Sequence, residues 1–472
     1  MNSVTKIFAC LLFICNNAFS QTYSLGDKTT AQDFAALPKA AAPANRDLTT
    51  LPPSVSLKPY APNVGNQGTY GTCVAWSSAY AARTISYAIH HNMQNKDSIT
   101  NEAFSPGYLY YYIKSANDAN CSNGASIYNA MEILEQKGAV LKSEGVSDCS
   151  AQSPGNEDAK AVPFKIKDFL ALSDYGGVGK NDVLKIKKSL AEQKPVIMSF
   201  KCMQSFFAVP ATGFWSPAPN DVYKGDHAMC IIGYDDNING GSFEVMNSWG
   251  TYWGNKGFFW LNYGLFTQYG NYAVEMMDFE SAAPKLAGSL DFVLTDNTVM
   301  PVERTKINSR SIQVEDDDQA DYSQYKISQI YPGGTAFKIK FTTSAPAYVY
   351  IFSEDNKQVI STIFPYNPTI SAAINSNNTT IYLPSETKHA RLSMDRGKEN
   401  ICVLYSKEKL DFNGLVDYIN STNKTIYEAV KDKFADKLIS LKQVQFSDKA
   451  IQFTAPANDN SIICFFISLE HN

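Results

Sequence analysis

Apolar residues recur at helical spacing in three stretches of the first half of the chain. Over residues 74–90, Ala75, Ala79, Ala82, Ile85, Ala88 and Ile89 share one face, which predicts a helix opening near Cys73. Residues 126–137 repeat the pattern through Ile127, Ala130, Met131 and Leu134 and stop at Gly138. Residues 181–193 carry Val183, Ile186 and Leu190, with Asn181 placed to cap and Pro195 beyond the end. The period then changes. Residues 195–200, 228–234, 241–247 and 257–261 read as strands, with Asp235-Asp236-Asn237 as a turn between two of them. Helices first and antiparallel strands later predict an α+β arrangement, not alternating βαβ units.

Beyond about residue 282 the helical signal fades. Short β-type runs at 289–294, 336–342, 347–353, 358–364, 379–383, 401–406 and 462–469 are punctuated by Pro332-Gly333-Gly334, Glu354-Asp355-Asn356 and Ser376-Asn377-Asn378. One helix, 425–438, interrupts them, and 314–319 is a charged connector. This half reads as a β-sandwich-like module. The expected organisation is a targeting segment at 1–20, a flexible leader at 21–50, a folded domain at 51–282, a linker or first strand at 283–325 and a β-rich domain at 326–472. The leader reads as flexible because it is rich in Ala, Thr and Pro and shows no apolar period.

Composition narrows the function classes. Hydrophobic residues are 44% and charged residues 18% of 472, the balance of packed globular protein. A net charge of −5 is too small to suggest nucleic acid or an anionic membrane as partner. The start, with Lys6, the apolar run 7–15 and Ala18-Phe19-Ser20, has the form of a secretory signal, so the mature chain is expected outside the cytoplasm, extracellular or periplasmic, beginning at Gln21. No other stretch is long and apolar enough to span a bilayer. Nine cysteines less Cys10 and Cys15 leave seven, and an odd number in an oxidising compartment leaves a thiol to be explained.

Cys73 explains it. In Gln67-Gly68-Thr69-Tyr70-Gly71-Thr72-Cys73, a Gly-containing turn delivers a Cys to a helix start, where unpaired N–H groups and the dipole favour a thiolate. Such a nucleophile needs a base. Of five histidines, His90, His91, His389 and His471 lie at a helix end, in a charged loop or near the terminus, whereas His227 opens the apolar strand Ala228–Tyr234. Twenty residues on, Asn247-Ser248-Trp249-Gly250 offers an amide oxygen to orient the imidazole and an indole to shield that bond from water.

Gln-Gly-x-x-Gly-x-Cys, then a His opening an apolar strand that ends Gly-Tyr, then Asn-Ser-Trp-Gly-x-x-Trp-Gly, together resemble the papain family of cysteine peptidases in chain order. Phe104-Ser105-Pro106 and Asn123-Gly124 fit the same pattern, and the resemblance spans roughly residues 51–279. It implies a two-lobe peptidase domain at 51–282 and polypeptide substrates, with no cofactor and no metal. It casts Cys73 as nucleophile, His227 as general base and acid, Asn247 as its orienter, and Gln67 as oxyanion donor together with the Cys73 N–H. Gly71, Asn123, Gly124 and Trp249 fall at substrate-binding positions, Asn123 and Gly124 for strand-like pairing with the substrate backbone.

The departures carry information too. Tyr70 stands where many members keep a half-cystine, which implies a Cys121–Cys149 bridge, with Cys202–Cys230 and Cys402–Cys464 as further expectations. The interval from Cys73 to His227 is slightly long, and the extra residues are expected in 202–224, near the cleft. The leader is too short for the family's helical propeptide, so activity is either controlled otherwise or present on export. The appended module resembles β-rich modules of bacterial secreted peptidases and is a possible partner-contacting surface. The same Cys/His/Asn set also serves an acyl transferase or amidase acting on cell-wall peptides, and the fold alone could serve a non-catalytic peptide binder.

Overall fold

The structure, a computed structural model, describes residues 23–145, 148–149, 155–278, 285–305, 323–355, 359–422, 424–456 and 461–472. The expected signal segment and the 314–319 connector lie outside them. Among the described residues no helix is long and apolar enough to cross a membrane.

The first domain sets helices against one antiparallel sheet. Its central helix runs through Cys73–Ala75, Trp76–Arg83 in π geometry and Thr84–His90. Every residue from Cys73 to Arg83 is buried, so the helix reads apolar or small all round in its first half and amphipathic only later. Ile127–Gln136 and Lys180–Ala191 match the other two expected helices. The second is capped by Gly179 N–H on Asp182 and not by Asn181. The sheet order is Asp168–Ala171, Gly270–Met277, Val196–Met203, Tyr223–Asp235, Ser242–Met246, Phe258–Asn262, with Ser54–Ser56 also on Tyr223–Asp235. Asp168–Ala171 and Gly270–Met277 were not foreseen. Both are buried on both faces and lack the alternation that marks a half-exposed strand.

The C-terminal half is a two-sheet sandwich. One sheet runs Ile360–Phe364, Ala347–Glu354, Gly397–Ser406, Ile462–His471, Ser323–Ile327, Val302–Arg304. The other runs Thr379–Leu383, Ala336–Thr343, Lys285–Leu294, Ile451–Pro456, Gln445–Phe446. Phe341, Val349, Val403 and Phe465 meet between them. Ala336–Thr343 alternates buried and half-buried, as a strand facing one core should. Gly397–Ser406 is buried continuously from Ile401 and Ile462–His471 from Ile462 to Leu469, because helices Phe412–Ser421 and Ile426–Phe434 cover their outer face with Leu415, Ile419, Ile426 and Val430. Leu170 and Met277 of the first domain join that same cluster, so the two domains share apolar contact.

From residue 23 on the leader is folded against both domains, which corrects the expectation of a flexible segment. Ala31–Ala35 is a helix with a Thr30/Asp33 capping box, and Phe34 is buried between Tyr175 and Tyr272. Leu37 and Leu48 are buried as well. The backbone is stitched to both domains: Ala40 N–H donates to Ala171 O at 3.1 Å, Lys39 N–H to Thr369 O at 2.8 Å and Ala44 N–H to Thr380 O at 2.8 Å. The leader has no period of its own because its apolar residues each find a different partner element.

Cys121 and Cys149 form the expected disulfide. The other two pairings do not form, and Cys202, Cys230, Cys402 and Cys464 are buried free thiols. Cys202 sits opposite Gly225 and Cys230 opposite Ile197 on neighbouring strands, too far apart in register to bridge. Cys402 and Cys464 lie diagonally across a strand pair, their sulfurs 3.9 Å apart.

Candidate active site

The turn before the central helix is held from two sides. Gln67 N–H donates to Ser248 O at 2.8 Å and Gly71 N–H to Cys121 O at 2.6 Å. The Cys121–Cys149 disulfide thus anchors the strip against which the Cys73 turn rests. The helix packs on strand Tyr223–Asp235, and Ala228 N–H reaches the Cys73 sulfur at 3.5 Å. The residue after His227 therefore touches the nucleophile candidate, although 154 positions separate Cys73 from His227.

His227 Nε2 lies 2.8 Å from Asn247 Oδ1, which also accepts the Ser248 N–H at 2.7 Å and so has its acceptor direction fixed. Nδ1, the other ring nitrogen, has no hydrogen-bond partner among the described residues. Trp249 stacks on the imidazole, ring centres 4.6 Å apart, and seals the Asn247 contact. Gln67 is oriented by Ser248, whose hydroxyl donates to Oε1 at 2.6 Å, and by its own Nε2, which donates to Tyr70 O at 2.8 Å. Ser248 was not singled out in the sequence, though it lies inside the Asn-Ser-Trp motif.

The cleft is occupied by the leader. Tyr23 stacks on Trp249 at 4.7 Å. Ser24 O accepts from Gln67 Nε2 at 3.1 Å and from Trp249 Nε1 at 3.3 Å. Gly26 N–H is directed at the Cys73 sulfur. Asp27 N–H donates to Asp226 O at 3.3 Å, while Ala125 N–H donates to Gly26 O and Lys28 N–H to Ala125 O, both at 2.9 Å. Ala125, next to Asn123 and Gly124, makes the strand-like pairing with the leader. Gly124 gives its N–H to Tyr110 OH at 3.1 Å and serves by closeness: at φ +79°, a Cβ there would stand 2.3 Å from Gly26 O. Asn123 turns its side chain to Ser115 Oγ at 3.3 Å. The 204–208 turn of the long loop places Phe207 on Trp249 at 5.3 Å, so that loop does border the cleft.

This packing reverses the expected electrostatics. Burial and the neighbouring Asp27 charge push the Cys73 thiol up to about 12, outweighing the N–H groups of Ala228, Gly26 and Val74. Burial lowers His227 to about 4 against the opposing effect of Asn247. With the leader seated, both groups are neutral.

Residues 52–277 match the papain family cysteine protease family. This part of the chain is a papain-family domain. Residues 330–409 of the sandwich match a domain of unknown function (DUF4384). Vignain of Phaseolus vulgaris is 28% identical over 214 residues, 44% of this chain and 54% of that protein. Cathepsin L of Sarcophaga peregrina is 24% identical over 222 residues, 44% of this chain and 58% of that protein. An uncharacterised peptidase C1-like protein of Acanthamoeba polyphaga mimivirus is 26% identical over 228 residues, 46% of this chain and 68% of that protein. The matches thus span between about half and two thirds of these relatives. Among solved structures, xylellain, a cysteine protease from Xylella fastidiosa, is 23% identical, covering 55% of this chain and 97% of that one at a TM-score of 0.44. The papain-family domain accounts for the expected cysteine peptidase class and for the α+β fold, and the second match fits the appended β-rich module.

Proposed function

We propose that the protein is a secreted cysteine endopeptidase, made latent by its own leader, which hydrolyses polypeptides by an acyl-enzyme route. The observation that carries this is that Ala228, the residue after His227, reaches the Cys73 sulfur, while His227 pairs with Asn247 under Trp249 and Gln67 is held by Ser248. In the open cleft His227 takes the Cys73 proton and the thiolate adds to the scissile carbonyl. The oxyanion accepts from Gln67 Nε2–H and the Cys73 N–H; one such donor contributes on the order of 3 kcal/mol. Collapse expels the amine, protonated by His227. Water then adds to the thioester, giving His227 a proton that returns to sulfur. Removal of the leader lifts burial and the Asp27 charge from Cys73 and leaves the Ala228 and Val74 N–H groups, so the thiolate gains ground.

The test is the full chain with Gly26→Ala, whose new Cβ would meet Gly71 O at 2.0 Å and so expel the leader. It is incubated under reducing conditions with a fluorogenic peptide library and an epoxide inhibitor. Hydrolysis with labelling of Cys73 supports the proposal. Neither hydrolysis nor labelling makes the protein a binder, and labelling with amine transfer but little hydrolysis makes it a transferase. Export is read from the N-terminus of the chain recovered outside the cell, expected at Gln21.

A further inference from the structure

The leader does more than fill space: it puts one acidic side chain into a pocket built for it beside Cys73. Asp27 is 5% exposed. Its Oδ2 accepts from Tyr272 OH at 2.9 Å and from the Ser199 hydroxyl. Ser199 Oγ itself accepts from Asn271 Nδ2 at 3.2 Å, so its one proton is committed to Asp27. Ser199 and Tyr272 are fully buried, on the adjacent strands Val196–Met203 and Gly270–Met277, and stand opposite each other in register. The other carboxylate oxygen is satisfied inside the leader, by Thr29 N–H at 3.0 Å and Thr29 Oγ1 at 2.6 Å. No cation touches the carboxylate among the contacts described, so recognition rests on hydrogen bonds to an oxygen and not on opposite charge.

Once the leader departs, the hydroxyl protons of Ser199 and Tyr272, aimed into one pocket, lose their acceptor, while Ser199 keeps its bond from Asn271. A substrate bringing an apolar side chain leaves them so, at a cost; one bringing a short carbonyl-bearing side chain restores both bonds. Building on the peptidase reading, we propose that Ser199 and Tyr272, set by Asn271, are specificity-determining residues that select Asp or Asn in the substrate, and that Asp27 is the leader's mimic of that side chain. A difference of ~10-fold or more between Asp or Asn and an isosteric Leu is the size such unpaired groups produce.

Two measurements on the full chain decide it. The first needs no catalysis: the rate at which iodoacetamide alkylates Cys73, with Cys73→Ala as the blank for the other thiols, reports how firmly the leader is seated. Asp27→Asn should stay close to the parent and Asp27→Leu should react at least ~10-fold faster, and in a Ser199→Val/Tyr272→Phe background the Leu leader should hold as well as Asp or better. Equal protection by Asp and Leu in the parent background overturns the proposal. The second compares kcat/KM of the Gly26→Ala chain on peptides differing at single positions. One position should prefer Asp or Asn over Leu, and Ser199→Val/Tyr272→Phe should erase that ratio; preference for Leu at every position overturns the proposal. If no peptide is turned over, the peptidase reading falls while the alkylation series still judges the pocket.

Discussion

At the scale of single residues, the four catalytic candidates differ in how replaceable they are. Cys73→Ala should abolish peptide turnover in the Gly26→Ala chain while thermal unfolding stays close to the parent, since the removed atom leaves only a small gap. His227→Ala should lower kcat by ~10³-fold or more, because it removes the base proposed to take the Cys73 proton. Asn247→Ala should cost less, about 10²-fold, since Trp249 still packs on the imidazole and partly holds its plane. Equal losses would mean that stacking contributes nothing to orientation.

His227 also ties the closed form to pH. Its folded pKa, near 4, lies below the value of 6.5 for a free imidazole, so the unfolded chain takes up that proton first as the pH falls. The contribution of this group is therefore intact above about 6.5 and is lost between there and about 4, to a limit of about 3 kcal/mol. Asp27 has the opposite sign, because burial raises its pKa and the folded form binds its proton more readily. Comparing Tm from pH 7 to 4 in the parent and in His227→Gln isolates the first effect: the parent should lose more stability across this window. Parallel curves would rule out a buried neutral imidazole.

At the scale of elements, the site is a meeting of one helix start, one strand and one leader. The 28-residue separation closed by Cys121–Cys149 fixes the strip that bonds both the Gly71 turn and, through Ala125, the leader. Replacing both cysteines by Ser should cost about 3 kcal/mol of stability and speed Cys73 alkylation, the second effect reporting a loosened leader. The leader itself was misread in the sequence because its order is borrowed. Phe34 has Tyr175 and Tyr272 as partners, and Gly26 has a fit set by Gly71, none of which is a neighbour along the chain. By contrast the Cys73 helix, the Ile127–Gln136 helix and most sandwich strands were legible, because each carries a period that needs no partner to be recognised.

At the scale of the whole molecule, the sandwich completes the back of the papain-family domain. Lys409 pairs with the buried Asp168 at 3.2 Å, Asn375 bonds Glu275, and Leu170 and Met277 pack among Tyr348, Tyr350 and Phe412. Truncation after residue 282 bares the two apolar side chains and leaves Asp168 and Glu275 with partners missing. The shortened chain is expected to unfold several degrees lower. In the Gly26→Ala chain, hydrolysis of small peptides by the folded fraction is expected to survive the truncation, because no sandwich residue hydrogen-bonds Cys73, His227, Asn247 or Gln67 among the contacts described. Loss of turnover at a temperature where the truncated chain is still folded would mean that the second half shapes the cleft.

Spacing and residue type alone determined which chemistry the chain is equipped for. A Cys at a helix start, a His at a strand mouth and an Asn before a Trp are local arrangements, each readable within about ten residues. Only the tertiary structure decided that the leader packs against Cys73, and which of its side chains it buries there. Burial of Cys73, the placement of Asp27 between Ser199 and Tyr272, and the choice of Ala125 as pairing edge all arise from segments brought together across long intervals. No periodicity records such contacts, because the free energy that fixes them belongs to the pair and not to either segment.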